Sequence, residues 1–272
     1  MVKDKLVPLP ISLSTISVLK GRVYDEKEFR EYLESQTVNF LNPKNSEEQC
    51  LSCVGKELYD LLFKGYTMKQ WNCHPRELSP SITARIPLRF NWDERYINAK
   101  YQVMPKNGYT IMMQNILDHE NIFLKTNAEL DPRKIKNNRK NYTATIYTGQ
   151  LDMFFEYIFG KLDYRSIKFE YKNFKMNYKQ PCVQINYPND FSYTRSVEIK
   201  HVTGQISSST TIAYEYPISD GEPFYPIINS KNNSLLKKYV AEVQKLKNIE
   251  NPIYFLGRLA EFRYYDMDQV FL

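Results

Sequence analysis

Arginine recurs beside aromatic residues in this chain of 272 residues. "KGYTMKQW" offers Tyr66, Thr67 and Trp71, and "ARIPLRFNWDERY" supplies Arg85, Arg89, Trp92 and Tyr96. "FSYTRSVEIK" gives Tyr193 and Arg195, and "EPFYPI" gives Phe224 and Tyr225. A guanidinium is a planar fork that matches the paired oxygens of a diphosphate, and tyrosine hydroxyls add bonds to the same group. The same side chains could equally be arginines stacked on surface tyrosines, or arginines paired with Glu198 and Glu215. Tyrosine is abundant, at 22 residues. Its flat apolar ring with one hydroxyl suits sugar and nucleotide pockets, and suits polar-tipped cores as well.

Other chemistries lack their residues. No G-x-G-x-x-G or G-x-x-x-x-G-K-[ST] phosphate cradle occurs, so a dinucleotide is not held by the usual glycine fingerprint. His74, His119 and His201 lie in unrelated contexts and there is no G-x-S-x-G elbow. Cys50 and Cys53 form a lone C-x-x-C that reads as two small residues on a helix, and no metal site is expected. The four cysteines are too scattered for a disulfide framework. A net charge of +6 implies some attraction to anions. The one local basic run, "PRKIKNNRK" at 132 to 140, reads as a solvated loop, and nucleic-acid binding is not expected. There is no apolar run of about 18 residues and no signal-peptide h-region, so the expectation is a cytoplasmic protein with no membrane partner.

These residues need elements to position them. "KLVPLPISL", with Pro8 and Pro10, reads as extended. "DEKEFREYL" and "NSEEQCLSCVGKELYDLLF" read as helical, the second opening on a Ser46 and Gln49 capping box. Prolines 75, 80 and 87 then forbid one continuous helix. "YTIMMQNILDH" and "QLDMFFEYIFG" read as helices; "NIFLKT" and "TATIYTG" read as strands. "SIKFEYKNF", "CVQINYP", "RSVEIKHV" and "TTIAYEYP" alternate as strands with short links, which predicts an antiparallel sheet. A helix in "SLLKKYVAEVQKLK" leads to the strand "PIYFLG", which reads as joining a sheet whose other strands are not evident. In "RYYDMDQVFL", Asp266 and Gln269 read as an N-cap pair opening a helix.

"LYDLLFKGYTMKQW", "ARIPLRFNWDERYINAKYQVMPKNGYT", "YRSIKF", "YTRSVEIKH", "YEYP", "PFYPI" and "GRLAEFRYYDMDQV" together resemble the UDP-galactopyranose mutases, in the same order along nearly the whole chain. The resemblance implies a flavoenzyme, an isomerase that interconverts UDP-galactopyranose and UDP-galactofuranose for surface polysaccharides through a sugar adduct on N5 of reduced FAD. It implies an α/β plus α+β fold: an incomplete FAD-binding α/β domain, a helical domain and an antiparallel β-sheet substrate domain. The boundaries expected are 1–20 as extended strands of the sheet domain, 21–98 as the helical domain with a mobile substrate loop, 99–160 as part of the FAD-binding domain, 161–235 as the sheet domain, and 236–272 as a return to the FAD-binding domain.

Carried over residue by residue, the resemblance makes Arg85 in the mobile segment and Arg195 in the sheet the catalytic pair that clamps the diphosphate. Tyr96, Tyr225 and Tyr264 would bond the same diphosphate, and Phe63, Tyr66, Thr67 and Trp71 would form the uridine end. Asn186 and Arg165 would sit near the sugar and flavin. Gly257, Arg258, Tyr265, Asp266 and Met267 would contact FAD, with the helix start at Asp266 facing the ring.

The chain departs from the family at Leu62, where a second phenylalanine is common, at Phe224, where tyrosine is common, and at Asn72, which replaces a common glycine. The family's glycine-rich FAD segment would precede Met1 and its closing helix would follow Leu272. The expectation is therefore weak FAD binding by this chain alone, reconstitution with a separately encoded N-terminal FAD segment, or a nucleotide-sugar-binding remnant without turnover. A homodimer is a further expected partner.

Overall fold

The extended start of the chain ends at Ser12. Its backbone N–H donates to Thr15 Oγ1 at 3.0 Å, and the Thr15 hydroxyl donates to Pro10 O at 3.0 Å. Such bonds satisfy groups that a helix start leaves unpaired. A helix runs from Leu13 to Lys20 and closes on Gly21 in the left-handed region at φ 71°. The reading of 1–20 as extended strands is corrected accordingly, since only the isolated bridges Val2 to Lys5 and Ile11 to Leu88 are strand-like there.

The computed structural model describes residues 1–84, 86–128 and 131–271. In chain order its α-helices are α1 (Leu13–Lys20), α2 (Glu26–Gln36), α3 (Ser46–Leu58), α4 (Gly65–Trp71), α5 (Ser81–Ala84), α6 (Gly108–Leu117), α7 (Pro132–Asn138), α8 (Leu151–Phe154), α9 (Lys200–Thr203), α10 (Ser230–Lys247) and α11 (Met267–Phe271). The strands are β1 (Thr145–Tyr147), β2 (Tyr164–Phe174), β3 (Gln184–Asn186), β4 (Arg195–Val197), β5 (Thr210–Ile218), β6 (Tyr225–Pro226) and β7 (Ile253–Phe255). Two compact units form, one from Met1–Arg30, Pro87–Glu129 and Phe169–Tyr216, the other from Glu31–Ile86, Leu130–Lys168 and Pro217–Leu272.

In the first unit the strand order is β3-β4-β5-β2, with β3/β4 and β4/β5 antiparallel, as the alternation predicts. Ile185 pairs with Ser196, and both are buried together with Ile212. One residue along, Asn186 pairs with Arg195 and Arg195 pairs with Glu215, so these three share the opposite face. "RSVEIKHV" is a strand only over Arg195–Val197. The fully buried Glu198 then turns the chain: its carboxylate accepts from the Lys179 and Gln180 amides at 2.9 and 2.8 Å and from the Thr210 hydroxyl at 2.5 Å. "NIFLKT" forms no strand; Ile122, Phe123 and Leu124 are exposed, and a strand without a ladder partner or a buried face has nothing to hold it.

In the second unit the N-cap of α3 is Asn45, whose side chain accepts from Glu48 N at 2.9 Å. The expected Ser46 and Gln49 box is displaced by one residue because the Ser46 hydroxyl donates to Ser79 O at 2.6 Å instead. The helix is also not continuous. Gly55 takes φ 75° and ψ 175°, and a Cβ there would lie 2.5 Å from Gln36 Cβ, so the end of α2 approaches where only glycine fits. Tyr59–Lys64 then forms a π-helix that feeds α4, a rare geometry found often at functional sites.

The core of this unit gathers Leu151, Phe154, Leu162, Tyr239, Val243 and Phe255. Tyr239 and Val243, four apart on α10, place one helix face against it. α8 is one turn rather than the longer helix expected, because Glu156 and Tyr157 adopt positive φ and the buried Asp152 accepts from Leu162 N at 2.9 Å. The late strand β7 finds its partner in β1, in parallel register Ile146 to Tyr254, so the pair lies within this chain. The basic run is absorbed here: Arg133 pairs with Glu156 at 2.5 Å, and Arg139 donates to Glu250 O.

Candidate nucleotide-sugar site

Within the second unit, α4 is short and its end is built with care. Thr67 and Trp71, one turn apart, lie on one face and are both buried. Phe63, a turn earlier in the π-helix, is buried as well, and Tyr66 is half-buried. Asn72 closes the helix in the left-handed region at φ 53°, its N–H donating to Met68 O at 2.9 Å. Asparagine thus adopts the conformation that glycine takes most freely, its short polar side chain being the next most tolerant there.

Arg165 on β2 reaches the same helix end. Its Nε donates to Gln70 O at 2.8 Å, Nη2 to Lys69 O at 3.4 Å and Nη1 to the Ser219 hydroxyl at 2.5 Å. The residue is 3% exposed, and burial lowers the pKa of its guanidinium while Cys73 acts in the opposite sense. Across the β2/β6 ladder Arg165 lies directly opposite Tyr225.

Tyr225 is the hub of a ring cluster. Trp71 meets it edge-on at 6.3 Å, and Tyr264 stacks on it at 5.9 Å with planes at 15°. Arg258 lies over both tyrosines, its Cζ 5.4 Å from the Tyr225 centroid and 4.8 Å from that of Tyr264. Its N–H groups donate to Tyr265 O at 2.5 and 3.2 Å and to Phe224 O at 3.2 Å, so it ties the strand of Tyr225 to the segment of Tyr264. Leu78 and Ile82 complete the buried wall behind Trp71.

Beside the cluster lies a cavity of about 350 Å³, bounded by Ser81, Ile82, Ile228, Arg263, Tyr264, Asp266 and Gln269. Its lining combines the apolar Ile82 and Ile228 with the polar Ser81, Arg263, Asp266 and Gln269. The cap pair expected at the start of α11 is half formed, with the Asp266 N–H donating to Gln269 Oε1 at 2.9 Å. Asp266 and Met267 are exposed. Gly257 is buried at φ 94°, its N–H held by Glu261 Oε2 at 3.0 Å. Arg263 and Gln269, which line this cavity, are not among the site residues expected from the sequence, although both stand within "GRLAEFRYYDMDQV".

In the first unit, Arg195 forms an ion pair with Glu215, Nε to Oε2, at 2.7 Å, which realises one of the pairings open from sequence. Asn186 is its strand neighbour on the same face. Tyr96 is 53% exposed on a loop that Arg89 organises by donating to Arg95 O and Asn98 Oδ1, both at 2.6 Å. Arg89 is therefore occupied by that loop. Arg85 lies outside the described residues. Among the described residues no cluster of three or more His, Cys, Asp or Glu could hold a metal ion, and no helix is long and apolar enough to cross a membrane.

Residues 61–264 match the family described as UDP-galactopyranose mutase. A probable UDP-galactopyranose mutase of Klebsiella pneumoniae is 40% identical over 98% of this chain and 69% of that protein. A dTDP-fucopyranose mutase of Escherichia coli is 36% identical over 98% of this chain and 72% of that protein. A solved structure of a reduced UDP-galactopyranose mutase covers 89% of this chain and 69% of its own with a TM-score of 0.63 at 16% identity, a likeness of fold.

Proposed function

The chain belongs to the UDP-galactopyranose mutase family, and we propose on that footing that it is an isomerase interconverting UDP-galactopyranose and UDP-galactofuranose. The observation that carries this reading is the ring cluster of Trp71, Tyr225 and Tyr264 under the Arg258 guanidinium. It supplies aromatic walls and a hydroxyl-bearing edge, the surface that a nucleotide sugar needs.

Each residue then has a role that its surroundings support. On this reading the apolar rings of Trp71 and Phe63 would border the base and sugar, and the stacked tyrosines Tyr225 and Tyr264 would offer their hydroxyls to the diphosphate. In the first unit Arg195, ion-paired with Glu215 at 2.7 Å, carries a guanidinium of the kind that would supply positive charge to a diphosphate. Holding the leaving group in line is worth much of the barrier in a displacement at the anomeric carbon.

The family implies a flavin, and the residues present fit the ring end of one: the cavity beside Tyr264 joins the apolar Ile82 and Ile228 to the polar Arg263, Asp266 and Gln269. Arg263, Asp266 and Gln269 would hold its polar edge, and Tyr264 would border it. When bound, reduced flavin supplies the electron-rich nitrogen that takes part in displacing the nucleoside diphosphate. The test is incubation of the chain with FAD, dithionite and UDP-galactofuranose, with products separated by chromatography. UDP-galactopyranose is the expected product. Because one relative is named for a dTDP-fucose sugar, dTDP-fucofuranose belongs in the same assay, and faster turnover of it would overturn the substrate assigned here. UDP binding with no conversion of either sugar would favour a non-catalytic nucleotide-sugar binder.

A further inference from the structure

Arg165 carries an assignment that its surroundings alter. The resemblance places it near the flavin and sugar, yet its described hydrogen bonds run to Lys69 O, Gln70 O and the Ser219 hydroxyl. The last four carbonyls of an α-helix have no partner within the helix. In α4 the Asn72 N–H takes Met68 O, and Arg165 takes the next two. A cation at that end also complements the negative pole of the helix dipole. The side chain comes from β2, directly opposite Tyr225 in the β2/β6 ladder, and Phe224 N donates to Arg165 O at 2.9 Å.

We infer that Arg165 is a positioning residue: its fork fastens the last turn of α4, and hence Trp71, to the strand pair that carries Tyr225. Two opposed constraints make this more than a helix cap. The main chain of Arg165 fixes the strand on which Tyr225 stands, and its side chain fixes the carbonyl immediately before Trp71. Arg165 thus constrains both rings of that edge-on pair. A lysine cannot replace it, because a single ammonium lacks the planar spread that serves two carbonyls on one side and a hydroxyl on the other. The consequence for ligand binding rests on the function proposed above, whereas the positioning itself does not.

Trp71 and Trp92 are the two tryptophans, and Trp92 is largely exposed, so Trp92→Phe leaves Trp71 as the reporter. In that background, Arg165→Lys, Arg165→Met and Ser219→Ala are compared for acrylamide quenching of Trp71, for far-ultraviolet circular dichroism and for UDP affinity. Arg165→Lys is expected to keep the helical spectrum while roughly doubling the quenching constant and weakening UDP binding about tenfold. Ser219→Ala, which loosens the fork without removing it, is expected to fall between. Unchanged quenching and unchanged emission in a folded Arg165→Lys protein would overturn the assignment. If Arg165→Met does not fold, the other two variants decide. If the parent binds no UDP, the functional reading fails, but the quenching comparison still accepts or rejects the positioning role.

Discussion

The Trp71 and Tyr225 rings meet edge to face, with centroids 6.3 Å apart and planes at 71°. They stand 154 positions apart by number in the chain, on a helix end and a two-residue strand, so neither local segment could have set the contact. Edge-to-face pairs add about 0.5–1.5 kcal/mol beyond the area they bury.

That contact gives the first prediction. Tyr225→Ala should destabilise the chain by about 2 kcal/mol, since a half-buried ring leaves a partly relaxed cavity against Trp71. Tyr225→Phe keeps both ring contacts and should cost no more than about 0.5 kcal/mol. Urea denaturation midpoints measure both. Equal losses in the two variants would mean that the hydroxyl, rather than the ring, supports the cluster.

Arg195 tests the charged part of the proposal. Its Nε lies 2.7 Å from Glu215 Oε2, so the guanidinium charge sits beside a carboxylate. Arg195→Lys retains charge but loses the fork, and UDP affinity by calorimetry should fall about tenfold. Glu215→Gln keeps the Arg195 fork and charge and should change UDP affinity less, by about threefold.

Asn72 holds a left-handed backbone at φ 53°. Asn72→Ala should cost about 1 kcal/mol, because a Cβ without a compensating polar group is disfavoured there. Asn72→Gly should lie within about 0.5 kcal/mol of the parent, its easier backbone offset by the greater freedom of the unfolded chain. Thermal melts of the two variants check the order, and a stable alanine variant would count against this account of the turn.

Glu198 predicts a response to acid. Burial opposes its charge, but bonds from Thr210 and from the Gln180 and Lys179 amides, together with nearby His201, outweigh burial and hold its carboxyl below the ordinary glutamate value of 4.5. The folded state therefore binds the proton less readily than the unfolded state. The stability due to Glu198 is complete above 4.5 and declines as pH falls below it toward the folded value. Denaturant midpoints measured from about pH 7 down to about pH 3 should fall for the parent and fall less steeply for Glu198→Gln, which has no proton to gain.

Much of the architecture could be read along the chain because it depends on near neighbours. Alternation in "CVQINYP" and "TTIAYEYP" is enough to make β3 and β5, and the apolar spacing of "SLLKKYVAEVQKLK" is enough to make α10. Where the reading failed, a distant partner had intervened. Ser46 gives its hydroxyl to Ser79, so the cap moves to Asn45; Gln36 crowds Gly55, so the helix breaks; Asp152 binds Leu162 N, so α8 stops after one turn. β7 had no visible partner because its ladder with β1 joins segments about a hundred residues apart.

The candidate site divides in the same way. Residue types and their clustering marked Trp71, Arg195 and Tyr225, since arginine forks and aromatic rings declare their chemistry without coordinates, and the resemblance to the mutase family added Tyr264. What each arginine does was decided only in three dimensions. Arg89 is taken by its own loop, Arg195 is ion-paired with Glu215, and Arg165 and Arg258 are bonded to main-chain carbonyls. A guanidinium satisfies whichever acceptors the fold brings within reach, and those acceptors come from segments that sequence proximity does not connect.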